Sequence, residues 1–252
     1  MTRRMFGRTR AVGSLVLALA RLPAWLACQP KSNRARYHEQ AFFKTIVNGF
    51  GIRIEQSGQR SNAAGTLYIM NHISWADIPV MMAILDADFV AKSDILGWPG
   101  IGALARRFDP VFVARDRREQ SHDQASTIRA RLSAGRSVIL CPEGTTSNGT
   151  TILPFRTTLF AAAEAAVAVQ PVVLRYLDAN GEPLSPKRMR EVVWIEDDDL
   201  LPSAMQFACS PVQANVSFLP PVFMQSGGRK PMAQMVRERM LAAYAAAPNR
   251  PR

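Results

Sequence analysis

The chain has three histidines, His38, His72 and His122, so few side chains can take up a proton near neutral pH. His38 lies in RARYHEQ and His122 in RREQSHDQAS, polar stretches that read as solvated helix faces. His72 differs, because it directly follows the apolar run TLYIM and has Asp77 five residues further on. A strand-to-helix turn between them would curl the carboxylate back onto one ring nitrogen, giving a general base and the group that orients it. Taken alone, the pair also fits a turn histidine followed by an acid at a helix N-terminus, where the helix dipole favours negative charge.

Two more polar clusters follow β-rich runs. After PVFV comes ARDRR, in which Arg115 could meet a phosphate or carboxylate as a planar bidentate donor or simply form a surface ion pair. After SVILC comes PEGTTS, where Glu143, Gly144 and Thr145 supply a carboxylate, a flexible backbone point and a hydroxyl to a turn or to a polar ligand. The remaining motifs carry less. Gly100 and Gly102 mimic a dinucleotide fingerprint but follow Gly97-Trp98-Pro99, not a strand. No G-x-S-x-G elbow and no phosphate loop occur. Cys141, ending an apolar run, reads as core, the tryptophans Trp75, Trp98 and Trp194 as packing, and the Asp197-Asp198-Asp199 run as a solvated helix start.

These clusters need elements to hold them. From residue 65 onward short β-rich runs (TLYIM, DFVAK, PVFVA, SVILC, PVVLRYL, VVWIE, NVSFL) alternate with helix-like stretches at 74–85, 97–108, 117–134 and 155–169. Near-continuous apolar strands alternating with helices imply an α/β fold, a mostly parallel sheet covered on both faces. In such a sheet a ligand sits beyond the carboxyl ends of the strands, where all three clusters fall.

Of 252 residues 48% are apolar, which suits a globular domain and excludes a bundle of membrane spans. Three cysteines, Cys28, Cys141 and Cys209, form neither a disulfide framework nor a zinc knuckle, and no metal is expected. The net charge of +11 is uneven: residues 1–60 hold eleven basic and two acidic side chains, net +9, leaving +2 for the other 192. A nucleic-acid binder would spread basic and aromatic groups over its body, so no nucleic-acid partner is expected. Within the basic end, fourteen of the eighteen residues at 11–28 are apolar, and Arg21 and Pro23 interrupt them. As a helix this run would reach ~27 Å, short of a ~30 Å hydrocarbon core, and no small-x-small cleavage site marks it as a signal peptide. Basic flanks on both sides predict a helical membrane anchor or re-entrant hairpin in the cytoplasmic leaflet. The expected layout is a membrane-associating segment at 1–50, an α/β domain at 51–247 and a frayed tail at 248–252.

Order and spacing give the clusters a joint meaning. The series N-H-x-S-W-x-D (71–77), F-V-x-R (112–115), P-E-G-T (142–145) and V-x-P-V (169–172) resembles the glycerolipid acyltransferase family that includes the 1-acylglycerol-3-phosphate acyltransferases. The looser likeness runs over residues 51–222. The resemblance implies an enzyme that moves an acyl group from a thioester of acyl carrier protein or coenzyme A to a lyso-lipid hydroxyl, with no further cofactor. It implies a bacterial protein at the cytoplasmic face of the inner membrane, with the membrane surface as a partner. His72 and Asp77 match the catalytic dyad of that family, and Arg115, Glu143, Gly144 and Thr145 match its acceptor-binding positions. Two departures bear on the acceptor. Many phosphatidate-forming members have an arginine where this chain has Thr146, and their Phe-Lys-x-Gly is here Phe155-Arg156-Thr157-Thr158. The EGTTSNG and LPFRTTLF wording looks more like bacterial enzymes that acylate lyso-ornithine lipid, and both acceptors stay open. The rival from another class is a non-catalytic, membrane-bound protein that binds lipid or nucleic acid; the intact dyad speaks against it.

Overall fold

The computed structural model describes residues 2–98, 100–113, 121–195, 198–223 and 228–246. Arg115, the side chain of His122, Asp197 of the acidic run and the tail at 248–252 lie outside what is described. Among the described residues seven strands form one sheet: β1 (Ile52–Ser57), β2 (Thr66–Met70), β3 (Asp88–Lys92), β4 (Val111–Val113), β5 (Val138–Leu140), β6 (Ala168–Leu177) and β7 (Val212–Phe218). Their order is β1-β7-β6-β2-β5-β3-β4, and every neighbouring pair is parallel except β6 with β7. The α/β reading with a mostly parallel sheet therefore holds.

Alternation within the strands divides the core in two. Tyr68 and Met70 of β2 and Val172, Leu174 and Tyr176 of β6 face one way, toward α1 (Thr2–Leu19), α3 (Asn33–Gly49), α4 (Asp77–Ile84) and α8 (Leu200–Phe207). Leu67, Ile69, Val169 and Val173 face the other, toward α6 (Ser121–Ser133), a 3₁₀ stretch at Leu159–Ala165 and α9 (Arg229–Ala245). Burial on both faces makes the central strands apolar throughout. The expected helix at 155–169 is reduced to that 3₁₀ stretch. The edge strand β1 was not anticipated, because IRIEQS buries little and mixes polar with apolar residues. Nor do the described residues of VVWIE, 192–195, form a strand. Val192 ends α7 (Pro186–Val192), and the chain beyond it runs extended so that Trp194 N donates to Ile73 O at 3.0 Å, pairing with a loop instead of the sheet.

The membrane anchor expected at the N-terminus is not found. Its apolar run is divided between α1 and α2 (Leu22–Leu26), with a break before Pro23, and no helix among the described residues is long and apolar enough to cross a membrane. The small residues Gly7, Ala11, Ser14 and Ala18 are buried along one side of α1. A Cβ on Gly7 would lie 2.1 Å from Ala208 O, and one on Gly49 of α3 would lie 1.7 Å from Ser14 Oγ, so the helix packs against the body at backbone distance. Several basic side chains expected to meet lipid bond to protein: Arg10 Nε donates to Gly49 O at 2.9 Å, and Arg4 pairs with Glu191 at 3.1 Å. The opposite side leaves Phe6, Val12, Val16 and Leu17 exposed. Ala11 and Ala18 add to the apolar count of the run, but their small size serves close helix packing. The expected place at the cytoplasmic face of the inner membrane is corrected by the same finding, that no helix among the described residues is long and apolar enough to cross a membrane.

The close packing of α1 yields a paired test. Gly7→Ala should lower the free energy of unfolding by about 1–3 kcal/mol through overpacking. Gly13→Ala meets nothing within 4 Å and should raise it by up to ~1 kcal/mol through helix propensity. Urea unfolding of both variants checks the two signs, and equal effects would contradict this packing of α1.

Candidate active site

The apolar strand β2 ends at Met70, and the chain turns through 71–76 into α4. Asn71 anchors that turn: its side-chain amide donates to Leu174 O at 2.9 Å and accepts from Leu174 N at 2.8 Å, extending the β2–β6 ladder by one side chain. At the other end of the turn, Asp77 opens α4 as its first acidic residue and is fully buried. Its Oδ2 accepts from Ile73 N at 2.7 Å and Ser74 N at 2.9 Å, so the loop wraps around the carboxylate. The same oxygen lies 2.7 Å from His72 Nδ1. An ionised carboxylate only accepts, so Nδ1 carries the hydrogen and Nε2 is the nitrogen that can receive a proton. Tyr176 of β6 completes the shell by donating to Asp77 Oδ1 at 2.8 Å. The imidazole side chain is one-tenth exposed.

Glu143, just beyond β5, meets this loop from the other side. Its Oε1 accepts from His72 N at 2.7 Å and its Oε2 from Leu153 N at 2.7 Å. Both oxygens of an acid expected at the acceptor are thus occupied by backbone donors. Burial pushes the carboxyl up from 4.5 to about 7, against the two backbone hydrogen bonds and the influence of His72, which pull it down. Ser147 N donates to His72 O at 2.7 Å, closing the contact between the two loops. Gly144 takes φ +71°, and a Cβ there would come 2.4 Å from Arg156 Nε, so only glycine allows the guanidinium so close to the turn. Thr145 is exposed on the same turn, and the Thr146 hydroxyl donates to Trp194 O. Of the site residues read from the sequence, His72, Asp77 and Glu143 are brought into contact, Gly144 and Thr145 continue the same turn, and Arg115 lies outside the described residues.

Two contributors were not legible. Tyr176 sits in an apolar strand and reads as a core aromatic. The C-terminal helix α9 supplies Arg237, whose Nε and Nη2 donate to Leu153 O at 2.9 Å and Ile152 O at 2.7 Å, and Tyr244, whose hydroxyl donates to Gly149 O at 2.7 Å. No local motif signals these contacts with the loop that holds Glu143.

The mostly parallel α/β fold thus carries an H-x-x-x-x-D pair at a strand terminus, with P-E-G-T at the next one. The chain belongs to the acyltransferase family: the family model described as Acyltransferase matches residues 51–175. It is 34% identical over 239 residues to the lyso-ornithine lipid O-acyltransferase of Brucella abortus (strain 2308), covering 90% of each chain. It is 33% identical over 199 residues to the lyso-ornithine lipid O-acyltransferase of Rhizobium meliloti (strain 1021), covering 76% of this chain and 67% of that one. The fold matches the crystal structure of the 1-acyl-sn-glycerophosphate (LPA) acyltransferase PlsC from Thermotoga maritima with a TM-score of 0.71 at 17% identity, over 100% of this chain and 97% of that one. At the level of the family, the activity is transfer of an acyl group to a lyso-lipid hydroxyl.

Glu143 makes the site sensitive to pH. Its folded-state value lies above the unfolded one, so between about 4.5 and about 7 the folded chain holds a proton that the unfolded chain releases. Its contribution is fully present below 4.5 and is lost as pH rises through about 7. The unfolding free energy of the parent should therefore fall relative to Glu143→Gln as pH climbs through this window. Urea titrations at a series of pH values check it; a constant difference would contradict the buried, proton-binding carboxyl.

Proposed function

We propose that the chain transfers a fatty acyl group from a thioester of acyl carrier protein or coenzyme A to the hydroxyl of lyso-ornithine lipid. The 2.7 Å contact of His72 Nδ1 with Asp77 carries the reading, since it leaves Nε2 as the base. The acceptor hydroxyl attacks the thioester carbonyl while His72 Nε2 takes its proton, and Asp77 stabilises the imidazolium that forms. Collapse of the tetrahedral intermediate breaks the C–S bond. The thiolate leaves with the proton returned by His72, so the enzyme is restored without a covalent intermediate. Arg115, Gly144 and Thr145 bind the acceptor in this account, and Glu143 holds the His72 and Leu153 backbones beside Gly144.

Two observations support lyso-ornithine lipid over 1-acyl-sn-glycerol-3-phosphate. The relatives from Brucella abortus and Rhizobium meliloti bear that name. Thr146, where many phosphatidate-forming members have arginine, is neutral and has its hydroxyl turned to Trp194 O. A zwitterionic head group needs less positive charge there than a phosphate does.

Purified protein supplied with palmitoyl thioester and the two acceptors in parallel, followed by lipid mass spectrometry, should yield the diacyl ornithine lipid preferentially. His72→Ala and Asp77→Asn should each lower turnover by at least ~100-fold, the usual contribution of a positioned base. Wild-type turnover in a folded His72→Ala protein would exclude this chemistry. Thr146→Arg should shift preference toward lyso-phosphatidate, since a guanidinium beside the P-E-G-T turn needs an anionic partner. A parent that already prefers lyso-phosphatidate, with no change in the variant, would assign phosphatidate synthesis instead.

A further inference from the structure

We propose that Tyr176 is a positioning residue of this reaction: by donating to Asp77 Oδ1 it fixes the carboxylate and limits how strongly Asp77 holds the protonated His72 imidazole. The proposal rests on the reading of His72 and Asp77 as the dyad. The division of labour on Asp77 supports it. Oδ2 serves the loop and the imidazole, whereas Oδ1 is held at 2.8 Å by a side chain from the sheet. β6 makes this possible because it runs past the end of β2, whose last pairing is Met70 with Val172. Asn71 meets Leu174, and Tyr176 follows on the same face. A strand paired with β7 from Val172 to Leu177 thus holds one carboxylate oxygen while the loop wraps the other.

Packing does not call for the hydroxyl. Tyr176 is 2% exposed, with its ring edge-on to Phe207 at 5.7 Å, and a phenylalanine ring would fill the same space. The hydroxyl meets Asp77, the one group there that gains from a donor. Burial, and then the neighbouring negative charge, hold the phenol well above its ordinary value of 10, so it remains a donor throughout the working range. A donor on Oδ1 draws charge from the carboxylate. Without it, Asp77 would hold the protonated imidazole more tightly in the ground state, and the base would become available only at higher pH. Among the described residues, the other titratable groups facing the dyad are Glu143, on His72 N, and Tyr244 of α9, which feels both Asp77 and Glu143. Both remain in every variant below, so differences from the parent isolate position 176.

The test compares rate against pH for the full chain, for Tyr176→Phe, for the chain carrying a ring-fluorinated tyrosine at 176, and for His72→Ala. Tyr176→Phe should lower kcat by about tenfold, the effect of losing a hydrogen bond to a charged group. It should leave KM for both substrates within about twofold, since Tyr176 sits behind the dyad, and move the acid limb of the profile to higher pH. The fluorinated phenol, a stronger donor, should move that limb to lower pH. Opposite displacements are a signature that loss of packing cannot produce, and the fluorinated protein carries the test alone if Tyr176→Phe does not fold. An unchanged limb or displacements in the same direction, with His72→Ala inactive, would overturn the role of Tyr176 and leave the dyad standing. Wild-type turnover in His72→Ala would overturn the dyad and this inference together.

Discussion

A carboxylate with no exposed surface can remain ionised only if the protein replaces the water it has lost, and Asp77 is such a group. Four donors do so: the His72 ring, the backbone N–H groups of Ile73 and Ser74, and the Tyr176 hydroxyl. Each constrains a different part of the chain. The backbone donors require the tight turn at 71–76 before α4, and the phenol requires β6 to extend beyond β2. The Asn71 amide joins the two requirements by pairing with Leu174 where the β2 ladder stops. Removing any of these donors leaves part of a buried charge uncompensated, so the local fold and the orientation of the imidazole depend on each other.

Around this charge the loops are braced from three directions. Ser74 Oγ donates to Val192 O at 2.6 Å, and Trp194 N to Ile73 O, which ties the turn to the segment after α7. Glu143 bridges His72 N to Leu153 N, and α9 holds the carbonyls beside that residue through Arg237. Thr146 joins the P-E-G-T turn to Trp194. A base that must receive a proton in one geometry gains from such fixed surroundings, because positioning supplies much of the acceleration when no covalent intermediate is formed. The arrangement also explains how a C-terminal helix remote in sequence comes to brace a loop near residue 72.

Most of the sheet was legible because buried parallel strands are apolar on both faces, as TLYIM and PVVLRYL are. What failed did so for identifiable reasons. IRIEQS is an edge strand with one neighbour and partial burial, so its polar residues masked it. VVWIE has strand composition, but its backbone pairs with the site loop. The N-terminal run mimicked an anchor because its leucines and valines are joined by alanines such as Ala11 and Ala18, which count as apolar but sit in the packing face of α1. Within the site, the H-x-x-x-x-D spacing offered the pair through local geometry, and its order with the other clusters gave it a meaning that the spacing alone did not. Tyr176 and Arg237 reach it only through tertiary contact and left no local pattern to read, while the residue type of Glu143 was legible but the backbone donors that occupy it were not.

The central claim is that the buried Asp77 carboxylate holds the neutral His72 imidazole with its hydrogen on Nδ1, leaving Nε2 open. Nitrogen NMR of the protein labelled at histidine reads this directly, since protonated and unprotonated ring nitrogens are well separated and His72→Ala assigns the signals. The account predicts a single neutral tautomer for His72, with Nδ1 protonated, Nε2 bare, and a strongly deshielded proton on Nδ1 that disappears in Asp77→Asn. A His72 ring protonated at Nε2, or one averaging between both tautomers as free imidazole does, would contradict it.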